Sequence, residues 1–330
     1  MVAAVLQPTD LALPDPLRLE GIHHITAITG DALRNLDFYT RVLGLRLAAK
    51  TVNQDDPSVY HLFYADEAGR PGSELTFFEY AGAIPGRAGA GMVHTIVWRV
   101  GGPGALDFWE QRLAAEGVQT QRPEEVALRF SDFEGLRHEL VVRPGLDEPL
   151  IAEHPEVPAE HALQGFDGVR AFSTDPDRSR ALLEKVLSAR PIGEAAWEVR
   201  GQRRGSTIEY DRAPALLGRQ SAGTVHHVAW GTNVVEHKRW YDVLQLTGVA
   251  NSGIIDRHYF HSIYFREPSG VLFEIADDYP GFTVDVPIEQ LGSVVILPPR
   301  LEPQRAEIEK RLTPLPDPRG DWVPARPRSA

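Results

Sequence analysis

Apolar and polar positions along the chain follow one pattern, written four times. Each copy opens with a run of strand-forming residues, crosses a polar turn, and continues with apolar residues at helical spacing. The copies read GIHHITAITGDALRNLDFYTRVLGL, GMVHTIVWRVGGPGALDFWEQRLAAEGV, GFDGVRAFSTDPDRSRALLEKVLSARPI and TVHHVAWGTNVVEHKRWYDVLQLTGV. In the first, Thr29 or Asp31 can cap the helix, and Leu33, Leu36, Tyr39 and Leu43 form its apolar stripe. Gly44 supplies the left-handed stop, as Gly117 and Gly248 do in the second and fourth copies. Two further strand patterns follow each helix, for example YHLFYAD then SELTFFEY in the first copy and YFHSIYFREPSG then VLFEIAD in the fourth. The repeating unit is β-α-β-β, with room for one more strand. Such a repeat fixes the architecture before any motif is read.

The units span residues 19–82, 91–145, 163–213 and 223–278. The linker GLDEPLIAEHPEVPAE, between the second and third, is the strongest boundary. The expected fold class is α+β, with four modules arranged as two domains. Residues 19–150 hold modules one and two, and residues 151–298 hold modules three and four. An N-terminal arm, 1–18, precedes them. Residues 299–330 follow, with a short helix around Glu302–Leu312 and a Pro/Arg-rich tail read as mobile.

Composition narrows the chemistry. The chain has 330 residues, no cysteine and a net charge of -12. Thiolate metal sites, disulfides and a cysteine nucleophile are excluded. An acidic chain repels phosphate backbones and anionic lipid, so neither nucleic acid nor a membrane surface is an expected partner. The first 20 residues hold three prolines and no basic run, which does not read as a signal peptide, and no apolar run is long enough to span a bilayer. A cytoplasmic protein is the expectation. Acidic enzymes of this size often pair, so a homo-oligomer stays open.

The copies have diverged where chemistry would sit. At the second residue of the opening HH pair, the four modules carry His24, Thr95, Gly168 and His227. In the closing strands Glu139 and Glu274 share a register, Glu209 follows less securely, and neither Glu74 nor Glu79 fits it in the first module. If modules one and four face each other, His24, His227 and Glu274 converge. Two imidazoles and one carboxylate on one face of an ion leave the opposite positions open, which suits non-heme Fe(II) oxygenases.

Six stretches carry a resemblance over residues 19–315: GIHHITAITG, YHLFYADEAGRPGS, VPAEHALQGF, TVHHVAW, DRHYFHSIYFREPSGVLFEIA and LPPRLEPQRAEIEKRL. In their order and spacing the chain resembles the vicinal-oxygen-chelate superfamily, built from paired βαβββ modules. It is most similar there to ring-cleaving dioxygenases of the hydroquinone branch. The resemblance implies Fe(II), with Mn(II) as the alternative, held by His24, His227 and Glu274. It also implies supporting roles for Thr26, His226, Arg257 and Tyr264: Thr26 lining the pocket, His226 as acid and base, Arg257 holding negative charge, and Tyr264 donating a hydrogen bond. The implied reaction opens a hydroquinone- or catechol-type ring with O2.

Each assignment has a plainer reading. A strand histidine is more often a satisfied core residue than a ligand. Glu274, within VLFEIA, needs a partner because an unpaired buried carboxylate is costly. His23 precedes a ligand and in simple alternation points away from it. His258 and His261 read as supporting or surface residues, Glu139 and His94 as remnants, and Trp109 and Trp240 as core. Two rival functions remain: a glyoxalase-like isomerase or lyase, whose sites usually carry four protein ligands and Zn or Ni, and a metal-free drug-binding protein of the resistance type.

Overall fold

The computed structural model describes residues 17–143, 145 and 147–320. The N-terminal arm up to residue 16 and the tail beyond 320 lie outside them. Module one is β1 (Ile22–Thr29), α1 (Ala32–Asp37), β2 (Arg46–Asn53), β3 (Asp56–Ala65) and β4 (Glu74–Glu79). Module two is β5 (Met92–Val100), α2 (Pro103–Ala115), β6 (Gln121–Glu124), β7 (Ala127–Ser131) and β8 (Arg137–Val142). Module three is β9 (Phe166–Ser173), α3 (Asp177–Ala181), β10 (Arg190–Pro191), β11 (Ala196–Arg200) and β12 (Gly205–Arg212). Module four is β13 (Thr224–Gly231), α4 (Val234–Leu246), β14 (Ile255–Asp256), β15 (His261–Arg266) and β16 (Leu272–Ala276). A last helix, α5 (Arg305–Arg311), follows a 3-10 turn at Glu302–Gln304. The repeat is βαβββ, a mixed α+β fold.

Helix form repeats with a period of two modules. α1 and α3 are short and run on as π-helical turns, Phe38–Val42 and Leu182–Val186, whereas α2 and α4 are regular 13-residue helices. Asp31 caps α1 by accepting from the Arg34 N–H, and Asn233 caps α4 by accepting from the Val235 and Glu236 N–H groups. The wider π turn shifts the helical phase. Leu33, on the apolar stripe by simple 3.6 spacing, is 48% exposed because the buried face of α1 runs through Ala32, Asn35 and Leu36.

The sixteen strands form two eight-stranded sheets, ordered β14-β15-β16-β13-β1-β4-β3-β2 and β10-β11-β12-β9-β5-β8-β7-β6. The first sheet therefore joins modules one and four, and the second joins two and three. The division of the chain near residue 150 is a division of sequence only, and the sheets cut across it. The reason lies in two linkers that cross between the sheets side by side, bridged at Pro85–Ala222 and Arg87–Arg219. They carry the chain over and back together, so its first and fourth quarters end on one sheet. At each centre two opening strands meet antiparallel, β1 with β13 and β5 with β9.

All four opening strands carry a bulge at one repeat position. The extra residues are His23, His94, Asp167 and His226, each just before 24, 95, 168 and 227. A bulge breaks alternation and turns two consecutive side chains toward one side. His23 thus meets His24 instead of pointing away from it.

The core is continuous through both sheets. Trp98, Trp109, Trp197, Trp230 and Trp240 are fully buried. A smaller cluster of Ala49, Phe63, Ala229, Tyr259, Phe260 and Phe282, with Leu291 and Ile296, lies where residues 282–296 cover the first sheet. No described helix is long and apolar enough to cross a membrane.

Candidate metal centre

Three adjacent strands, β1, β13 and β16, bring together the residues that sequence placed far apart. His24 pairs across the sheet with Ala229, and Ala229 with Glu274. Ala229 offers only a methyl group in that row, so the space between His24 and Glu274 stays open. His227 lies two residues before Ala229 on the same face.

The donor atoms form a near-equilateral triangle. His24 Nε2 is 3.2 Å from His227 Nε2 and 3.2 Å from Glu274 Oε2, and His227 Nε2 is 2.9 Å from Glu274 Oε2. Donors bound to one ion at about 2.1 Å and at right angles to one another lie about 3.0 Å apart, so the triangle fits one octahedral face. His24 and Glu274 are all but inaccessible to solvent. Neither Glu274 oxygen accepts a hydrogen bond. Burial would push this carboxyl up, but the imidazoles of His24 and His227 hold it well below the ordinary range. An ionised carboxylate this deeply buried, with two imidazole nitrogens facing it, is placed to hold a cation. Burial lowers His227, leaving it neutral with a lone pair to give.

A second grouping, His23, His24 and Glu74, lies directly behind. His23 Nδ1 is 3.0 Å from His24 Nδ1 and 3.4 Å from Glu74 Oε2. Burial pushes Glu74 well above its ordinary value and His23 down to about 3. The hydrogen bond between the two Nδ1 atoms makes His23 a prop for His24, while Glu74 Oε2 stands behind it without a hydrogen-bond partner. His226 does the same for His227, with their Nδ1 atoms 2.8 Å apart. Each ligand-type histidine thus has its Nε2 on the triangle and its Nδ1 against the bulged histidine before it.

A cleft of about 40 Å3 opens on the triangle. Phe63, Phe78 and Phe260 form aromatic walls, and Arg257, Tyr264 and His61 present polar groups. The Arg257 guanidinium stands 5.5 Å from the Tyr264 ring centre. Thr26 is fully buried beside the triangle, its hydroxyl 2.9 Å from His227 Nε2 and 2.8 Å from Thr76 Oγ1. His226 is turned elsewhere: its ring lines a separate small cavity with Gly91, Met92, Gln220 and Arg266. His258 pairs with Asp285 and His261 with Asp277, away from the triangle. Sequence reasoning passed over His61, set Glu74 aside as out of register, and missed Thr76, which holds in module one the register position of Glu139, Glu209 and Glu274.

A far larger cavity, about 1280 Å3, lies between the second sheet and the helical segment of module one, lined by Leu33, Phe38 and Arg41 as well as by Thr95, Arg129 and Arg170. Size alone would favour it, but its chemistry does not. Thr95 and Gly168 replace the histidines. Glu139 and Glu209, in the register of Glu274, are tied to Arg129 at 2.8 Å and to Arg170 at 3.0 Å. Arg170 occupies the register that Ala229 fills in the first sheet. A fixed guanidinium there excludes a cation.

Similar proteins agree with this architecture. MhqA of Bacillus subtilis (strain 168), named as a candidate ring-cleaving dioxygenase, is 38% identical over 91% of this chain and its own full length. The chlorohydroquinone/hydroquinone 1,2-dioxygenase of Sphingobium indicum is 32% identical over 90% of this chain and 97% of its own. The crystal structure of a candidate dioxygenase from Bacillus subtilis superposes with a TM-score of 0.85 at 39% identity, covering 91% of this chain and 98% of that one. Residues 21–128 and 165–275 match the glyoxalase/bleomycin resistance protein/dioxygenase superfamily, and the chain belongs to it.

Proposed function

We propose that the protein is an Fe(II)-dependent dioxygenase that opens a hydroquinone- or catechol-type ring with O2. The observation that carries this reading is Glu274, a buried carboxylate without hydrogen bonds that faces two imidazole nitrogens at 2.9 and 3.2 Å. The relative from Sphingobium indicum, whose name gives hydroquinone as substrate, supports the ring class. His24, His227 and Glu274 would hold the ion, which when bound supplies the electron transfer that lets O2 react with a closed-shell ring. Mn(II) accepts the same donors. Among the described residues the group contains three donors and no fourth, which favours this reading over a four-ligand isomerase. The unsatisfied triangle likewise speaks against a metal-free binding protein.

The protein's own residues define the rest. Phe63, Phe78 and Phe260 offer faces and edges to an aromatic ring. Arg257 remains a cation and would hold negative charge on a substrate oxygen. The Tyr264 hydroxyl stays protonated, since burial raises it, and can donate. His226 would act by fixing His227 through Nδ1, because its ring does not line the cleft. O2 uptake by anaerobically Fe(II)-loaded protein, offered a panel of hydroquinones and catechols, tests the proposal. Uptake with none of them overturns it.

A further inference from the structure

A ring hydroxyl that binds beside the triangle must give up its proton, and few groups on the cleft wall can take it. His24 and His227 point their Nε2 atoms at the triangle. Asp55 stands at the mouth, paired with Arg257 at 3.0 Å. Tyr259 and Tyr264 are pushed up by burial and hold their own protons. His226 faces another cavity. That leaves His61, on β3, which lies between the rings of Phe63 and Phe78 with centroids 4.1 and 4.4 Å away.

His61 is also wired to the triangle. Its Nε2 is 2.9 Å from Thr76 Oγ1, Thr76 Oγ1 is 2.8 Å from Thr26 Oγ1, and Thr26 Oγ1 is 2.9 Å from His227 Nε2. With both hydroxyls donating toward His61, Thr26 Oγ1, 2.9 Å from His227 Nε2, is left free to accept a further hydrogen bond beside the triangle. Thr26 and Thr76 pair in register on β1 and β4, and His61 is on the next strand, so the sheet itself holds the line straight.

We infer that His61 is the proton acceptor of the site, reached through Thr26 and Thr76. The substrate O–H bond breaks and its proton goes to Thr26 Oγ1. Thr26 passes its own proton to Thr76, and Thr76 passes its own to His61 Nε2. Both hydroxyls end as they began, the ring oxygen becomes an anion, and the imidazole carries the positive charge until the proton returns to product. Burial, with the nearby His24, His227 and Arg257, lowers His61, so its imidazole is neutral at rest.

This inference rests on the ring-cleavage reading, and the experiment separates the two. Fe(II)-loaded wild type, His61→Asn, Thr76→Val and the double variant are compared for iron content, for anaerobic binding of 4-nitrocatechol, and for O2 uptake. The absorbance of bound 4-nitrocatechol reports how far it is deprotonated. The expected result is unchanged iron, a more protonated bound ligand in both single variants, and kcat lower on the order of a hundredfold. The double variant should be no worse than His61→Asn, and Thr76→Ser should restore the wild-type spectrum. Thr76→Val carries the test should His61→Asn fail to fold. Active wild type with variants that match it in spectrum and kcat overturns the relay alone. Wild type that neither binds 4-nitrocatechol nor consumes O2 overturns the ring-cleavage reading, and the relay with it.

Discussion

Arg257 Nη2 lies 3.0 Å from Asp55 Oδ2, an ion pair that closes the mouth of the cleft between modules four and one. Gln54 reinforces it: its side-chain amide donates to the Arg257 carbonyl at 2.5 Å, and Arg300 donates to the Gln54 side-chain oxygen at 3.0 Å. Behind this latch the cleft measures about 40 Å3. An engineered cavity that takes benzene measures about 150 Å3, so a ring needs the Asp55–Arg257 pair at the mouth to part. Asp55→Asn should speed substrate entry, by about fivefold at most because the carboxylate is 72% exposed and screened by water. Stopped-flow binding of 4-nitrocatechol at low and high salt measures it. Equal rates for variant and wild type would leave the latch without a role.

Glu274→Gln keeps the shape of the side chain but removes its charge. Iron per chain should fall about tenfold or more, because a neutral amide oxygen replaces the one anionic donor. The metal-free variant should also melt below metal-free wild type, since the imidazoles that favour the ionised carboxylate lose their partner. Metal analysis and calorimetry check the two halves, and iron retained at wild-type level would remove Glu274 from the ligand set.

Acid should destabilise the fold through histidines far from the triangle. Burial lowers His138 to about 3 and His94 to about 4. The folded chain therefore binds fewer protons than the unfolded chain below about pH 6.5. Their contribution is complete above that pH and is lost as pH falls toward 4, at about 1.4 kcal/mol per unit for each group. His138 lies in a buried chain in which the Trp98 indole donates to its Nδ1 and the Tyr39 hydroxyl donates to Asp132. Urea denaturation between pH 7 and 4 gives the slope, and His138→Gln should remove its share.

Gly168 is the second sheet's counterpart of His227, and the backbone closes on it. A Cβ built there comes 2.1 Å from Thr207 Oγ1 and 2.4 Å from the Thr207 carbonyl oxygen. Gly168→Ala should cost about 1–3 kcal/mol in chemical denaturation as β9 and β12 are forced apart. A stable variant would show that the strands yield there.

Much of this molecule was legible in its sequence. The four modules, their strands and the three donors follow from periodicity and repeat register. The pairing of modules one and four does not, because no local pattern encodes which strand edges meet. The bulges at His23 and His226 were also hidden. A strand sequence shows alternation, whereas an extra residue depends on the partner strand. His61 escaped notice because a lone histidine carries no motif, and Thr76 because a threonine stands where the other modules carry a glutamate. Their meaning lies in a line of hydrogen bonds that crosses three strands.

The crossing of the chain between sheets has a consequence for biosynthesis. A ribosome that has released module one has made a histidine that must wait for β13 and β16, so the triangle cannot close until residue 274 has left the exit tunnel. Synthesis halted anywhere before that point yields a product with no half-active form, because each end of the gene encodes only part of the grip.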